Sequence, residues 1–206
     1  TLHFVSGFPL ASVAPNTLLL YDRIFQVNKT MASTTNESVT GVPTRYQSTT
    51  GGAADSAEGN FLFIEVGGTA LAATAHNWNA VYTDQGGTGS VALPQVTGNS
   101  GAIVRRLDQP AGQWFAPLAT GDTGIQQLDE MDCSASVATG VINFVIGHPI
   151  AWMPCLVANF VCTADGINSA FNLSRIFDDA ALALLEVCKA ATTATNYTGS
   201  FTAVAG

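Results

Sequence analysis

This sequence predicts an all-β protein, a two-sheet β-sandwich of jelly-roll type with at most one short helix. About ten short apolar or alternating runs are separated by Gly- and Pro-rich turns, as in sandwiches and jelly rolls. Thr, β-branched and suited to exposed strand faces, occurs 23 times beside 20 Gly. The third observation is Cys133 to Ala164, 32 residues with no Asp, Glu, Lys or Arg. Its length suggests a transmembrane helix. However, Asn143, Gly147-His148-Pro149, Pro154 and Asn159 interrupt every apolar run before about 18 residues accumulate. What remains reads as two strands buried on both faces, Val141 to Ile146 and Cys155 to Cys162, with turns between them.

The elements follow in order. Thr17 to Phe25 (TLLLYDRIF) reads as a strand that begins buried and ends half exposed. Asn28 to Gly59 is rich in Thr, Ser and Gly and reads as an irregular excursion with one short strand near Val39 to Tyr46. Phe61 to Val66 (FLFIEV) is a strong strand, stopped by Gly67-Gly68. Within Thr69 to Thr83, the even spacing of His76, Trp78 and Tyr82 places all three on one strand face. Gln85 to Gly89 is a turn, across which Ser90 to Leu93 pairs back as a hairpin. Ala102 to Leu107 and Gly124 to Ser136 are further strands, the second partly exposed; Trp114, Phe115 and Leu118 occupy a Pro-bounded loop between them. Ser174 to Ala190 reads either as a helix capped by Ser174 or as a turn at Asp178-Asp179 followed by a core strand, Ala181 to Val187. The strand is favoured, because β signals continue to the end of the chain. No repeat or linker is evident, so residues 1–206 are read as one domain.

Charged residues make up only 11 % of the chain, well under the ~25 % of an average soluble protein, so neutral polar groups must cover the surface. Low surface charge favours association between copies. It fits a secreted, robust monomer or a subunit packed in an assembly. The net charge is −8 and the only basic pair is Arg105-Arg106, so no clustered basic face is expected and direct nucleic-acid binding is not predicted. Cys133, Cys155, Cys162 and Cys188 contain no C-x-x-C and read as small buried hydrophobes in a reduced protein, with two disulfides as the alternative. No signal peptide is recognised; the start at Thr1 suggests a removed leader or part of a longer polypeptide. The sequons at Asn28, Asn36, Asn172 and Asn196 are expected by chance in a chain this rich in Ser and Thr.

Candidate chemistry is sparse. Gly121-Asp122-Thr123-Gly124 carries the Asp-Thr-Gly of aspartic proteases, whose mechanism needs two carboxylates sharing a proton. One copy is present, and a turn with Asp122 accepting a backbone N–H is the better reading. His3, His76 and His148 have no nucleophile elbow beside them; His148 reads as structural, and His76, on the Trp78 and Tyr82 face, as packing or interface. The acidic groups Asp129-Glu130-Asp132 and Asp178-Asp179 lack EF-hand spacing, so no metal is expected, and no phosphate or dinucleotide loop implies a cofactor. No catalytic residue is assigned. The candidates for an interface are Trp78, Trp114, Phe115 and Trp152, since Trp is enriched at binding hot spots.

Leu18 to Phe25 (LLLYDRIF), Tyr82 to Gly89 (YTDQGGTG), Trp114 to Ile125 (WFAPLATGDTGI) and the Thr-rich end TATNYTGSFTAVAG follow one another in an order that resembles tailed-bacteriophage virion structural proteins. Within a virion, the resemblance implies a non-enzymatic, β-rich capsid decoration (cement) protein. Such a protein would be a homotrimer on the capsid surface, assembled in the host cytoplasm, bound between capsomers to the major capsid protein and to itself, and away from membrane. The alternative is a tail, fibre or adhesin module that binds a receptor or glycan. The resemblance supplies no functional residues.

Overall fold

The computed structural model describes residues 3–12, 15–47, 57–110, 112–165, 175–187, 197–200 and 202–205. Every regular element among them is a strand: β1 (His3–Ser12), β2 (Asn16–Thr30), β3 (Glu37–Ser38), β4 (Phe61–Val66), β5 (Asn77–Asp84), β6 (Val91–Ala92), β7 (Val96–Thr97), β8 (Ile125–Cys133), β9 (Val141–Cys155), β10 (Val161–Asp165), β11 (Arg175–Ile176), β12 (Leu182–Val187), β13 (Tyr197–Gly199) and β14 (Thr202–Ala205). The chain is all-β, as expected. Its packing divides it into two compact units that its length alone does not separate: residues 1–23 with 149–206, and residues 24–148. β2 and β9 contribute to both.

The unit of residues 24–148 is a sandwich. One layer has the order β2-β9-β4; the other has the order β3-β8-β5-β6, with β7 also on β5. The two-sheet expectation is met here, while a jelly-roll order goes beyond what these ladders establish. Strict alternation along β5 points Trp78, Ala80, Tyr82 and Asp84 inward. Opposite them on β8 lie Cys133, Met131, Leu128 and Ile125. Two register shifts in that ladder let β8 keep these apolar residues inward although their spacing is not two. Leu62, Ile64 and Val66 of β4 and Ile142, Phe144 and Ile146 of β9 complete the same core. The outer edge of β4 is covered by the segment that follows β7: Val66 N donates to Arg106 O, Asp108 N to Ile64 O and Ala116 N to Leu62 O. That cover removes an open sheet edge.

In the other unit, β1 pairs antiparallel with β10, β11, β13 and β14. Here β2, in the four-stranded order β12-β2-β9-β4, carries β12, with Leu182–Val187 laddered against Thr17–Asp22. Leu18, Leu20, Met153, Cys155 and Ile176 form the core of this unit. Buried Asp22 accepts the Ala181 N–H, and Asn16 donates to both Glu186 and the Tyr197 hydroxyl.

Phe61–Val66 matches its expected bounds, Val91 pairs Tyr82 as the hairpin reading requires, and Asp178-Asp179 is a turn before β12. Four expectations are corrected. Gly147-His148-Pro149 is no turn; β9 runs straight through it. The β4 ladder ends at Gly147, so Pro149 removes no hydrogen bond to β4. Val39 to Tyr46 is irregular and only Glu37–Ser38 pairs with β8, because Gly41 (φ 102°), Pro43 and Tyr46 (φ 51°) break extension. Ala102 to Leu107 turns at Arg105 (φ 66°) and bridges the sheet only at Leu107. Cys155 to Cys162 is not a buried strand, since Leu156 to Phe160 is an exposed connection. Ser174, Cys188, Asn172 and Asn196 lie outside the described residues, and no side chain of β1, including His3, is described. No helix among the described residues is long and apolar enough to cross a membrane.

Candidate functional site

Four groupings of ionisable side chains and one apolar surface stand out. The most polar cluster lies inside the sandwich. Asp108, carried by the segment on the β4 edge, accepts from His76 Nε2 and from Trp78 Nε1, each at 2.7 Å, through Oδ2. Its Oδ1 accepts from the Asn99 N–H at 2.6 Å. The other ring nitrogen, His76 Nδ1, lies 2.8 Å from the Thr74 carbonyl. Both ring nitrogens therefore face oxygen atoms, and an imidazolium opposite the Asp108 carboxylate donates to both. The hydrogen bond to Asp108 raises the His76 pKa above its usual value, and burial opposes it. A histidine–carboxylate pair is also the orienting half of a triad. Here both side chains are fully buried, so no substrate atom can reach them. A Cβ on Gly98 would collide with the His76 ring, so the loop closes flush against it. The pair ties three loops to the core.

Asp122, the carboxylate of the Asp-Thr-Gly motif, accepts from the Tyr82 hydroxyl at 2.5 Å, and that hydroxyl accepts from the Ala119 N–H. Burial, then the Asp122 bond, pushes the Tyr82 phenol up to about 12. The glycine of the motif, Gly124, bridges Glu58 so closely that a Cβ would meet the Ala57 carbonyl. The motif is a docked turn in this chain, although Asp122 takes a side-chain hydroxyl rather than the expected backbone N–H.

His148 stacks on Tyr46 (ring centroids 3.8 Å apart) and its Nδ1 lies 2.8 Å from Asn60 Oδ1. Burial lowers its pKa to about 4. It is a neutral structural imidazole. Lys29 is buried and bonded to Glu37 and the Thr35 carbonyl.

The apolar surface lies between β9 and β10. Leu156 is 75 % exposed, Val157 58 %, Phe160 66 % and Val161 57 %, and Trp152 on β9 is 41 % exposed. Asn159 (φ 58°) makes the reversal. Sequence reasoning missed Leu156, Val157, Phe160 and Val161 as surface residues because it read them as core; Pro154 just before them and Asn159 in their midst were the available signal. Of the proposed interface residues, Trp152 is exposed and Phe115 is 41 % exposed. Trp114 is partly covered, edge-on to Phe61 and Phe115. Trp78 is corrected to a core residue: it is fully buried, bonded to Asp108 and edge-on to Phe144. Asp108 was also missed; no spacing in the sequence links it to His76.

The sandwich unit also has an open groove of about 500 Å³. Gln26, Asn28, Asn143, Glu65 and Arg105 line it among valines. Arg105 holds a left-handed conformation, uncommon outside glycine. The three free cysteines among the described residues are Cys133, Cys155 and Cys162, and these residues contain no group of three or more potential metal-ligating side chains.

No family model matches the chain, and neither a curated protein nor a solved structure matches it.

Proposed function

We propose that this chain is a non-enzymatic virion structural protein, a capsid decoration subunit that stabilises a phage head. The observation that carries the reading is the exposed, uncharged connection between β9 and β10, with Leu156, Val157, Phe160 and Val161. Together these residues present roughly a few hundred Å² of apolar surface, a size that often marks an interaction site. The occupant we assign is a second copy of the chain, in a trimer. The 32 residues around the tip carry no formal charge, so copies meet there without like-charge repulsion despite the net −8. The trimer in turn binds the major capsid protein, and because it binds only the assembled shell it favours assembly by mass action. The histidines and Asp122 of the sandwich are engaged in internal bonds, which supports a structural rather than a chemical role.

Light scattering of the purified chain, with and without empty capsids, tests this. A trimer that co-sediments with capsids is the expected result. A monomer that ignores capsids overturns it and favours the second reading, a tail or fibre module. The groove supports that alternative, because its amides, Glu65 and Arg105 suit the hydroxyls of a glycan.

A further inference from the structure

We propose that Cys155 and Cys162 form a thiol–disulfide modification site at the base of the exposed connection between β9 and β10, oxidised by a small disulfide such as oxidised glutathione. Cys155 is the last residue of β9 and fully buried; Cys162 lies in β10 and is partly exposed. The two enclose the six residues of the tip. Both pack on the same small core of Leu18, Leu20, Met153 and Ile176. Cys162 is the neighbouring side chain that acts on the Cys155 thiol, and in the reduced chain Cys162 Sγ lies 3.9 Å from the Phe160 carbonyl oxygen. Each is a free thiol in the structure. Two thiols that flank a six-residue connection and share one small core are placed for an intramolecular disulfide once the sulfurs close to bonding distance. Cys133 is the internal contrast: it is buried at the end of β8, with its thiol on the Ala135 carbonyl.

The chemistry runs through the more exposed sulfur. The Cys162 thiolate attacks one sulfur of oxidised glutathione, forming a mixed disulfide and releasing one glutathione thiolate. The Cys155 thiolate then attacks the Cys162 sulfur and releases the second glutathione. The protein loses two hydrogens and two electrons, and one oxidised glutathione becomes two reduced ones. Burial, with Cys162 beside it, pushes Cys155 up to about 11, so the second step accelerates as pH rises from neutral. The bridge closes a short loop and restrains the unfolded chain around the apolar tip. This site does not depend on what the tip binds.

The test is to incubate the reduced chain with oxidised glutathione, block free thiols and map linked peptides by mass spectrometry. The expected product is a Cys155–Cys162 bridge, reversed by dithiothreitol, that raises the melting temperature by a few degrees. Cys155→Ser should trap glutathione on Cys162, and Cys133→Ser should leave the bridge unchanged. A stable glutathione adduct on Cys162 in the unmodified chain, or bridging of either residue to Cys133 or Cys188, overturns the proposal. So does full recovery of both free thiols.

Discussion

The sandwich unit and the connection between β9 and β10 place polar and apolar groups in opposite ways. In the sandwich, charge is inside: Asp108 and His76 are fully buried and bonded on every side. In the connection, Leu156 and Phe160 are outside, within the uncharged run from Cys133 to Ala164. A buried ion pair rarely adds net stability over an apolar core, but it fixes which loops meet and how. An exposed apolar tip adds nothing to the isolated fold and gains free energy only when something covers it. The first region specifies the structure; the second is available for association.

The largest expected effect comes from breaking the buried pair. Asp108→Ala leaves His76, Trp78 and the Asn99 N–H without their acceptor. A loss of about 3–5 kcal/mol is expected, read by urea unfolding followed through tryptophan fluorescence. A loss under about 1 kcal/mol would mean that water replaces the carboxylate and that the region is more open than its burial indicates.

The two histidines sharpen the contrast with opposite pH signs. His76 has a raised folded pKa, so its contribution is complete below the unfolded value near 6.5 and is lost as pH rises through the folded pKa. His148, at about 4, contributes fully above 6.5 and is lost as pH falls from 6.5 through 4. The melting temperature should therefore peak near neutral pH and fall by about 5 °C on the acid side from this source. His148→Gln should flatten the acid limb and His76→Gln the alkaline limb. Both limbs persisting in both variants would remove these residues as the cause.

A smaller effect separates a structural Asp122 from a catalytic one. Tyr82→Phe removes the hydroxyl that joins Asp122 to the Ala119 N–H. A cost of about 1–2 kcal/mol is expected, with Asp122→Asn costing a similar amount and the double variant less than the sum of the two. Strict additivity would show that the two side chains act independently.

Legibility in the sequence follows the range of the interactions involved. FLFIEV was readable to the residue because its run is apolar, β-branched and stopped by two glycines. The inward face of β5 followed from the even spacing of His76, Trp78 and Tyr82, a purely local regularity. Asp108 was not readable, because its partner His76 is 32 positions away and only the fold brings them together. The Gly147-His148-Pro149 triplet misled because proline usually ends a strand, and whether it does depends on which neighbour needs its N–H. The apolar tip was misread for a related reason. Hydrophobicity predicts burial, but it does not say whether the burial occurs within one chain or between two.

That last ambiguity gives the smallest effect on the fold and the clearest break in the comparison. Leu156→Asp combined with Phe160→Asp removes apolar groups that are 75 % and 66 % exposed. Stability of the isolated chain should change by less than about 0.5 kcal/mol, as at other exposed positions. Sedimentation velocity should nevertheless show loss of the oligomer, because two carboxylates would have to be desolvated in the contact. The proposed association should also persist in high salt, since an apolar contact is not screened as charge pairs are. A double variant that melts well below the wild type while keeping its oligomeric mass would reverse the assignment, making the tip part of the fold and leaving the association to another surface.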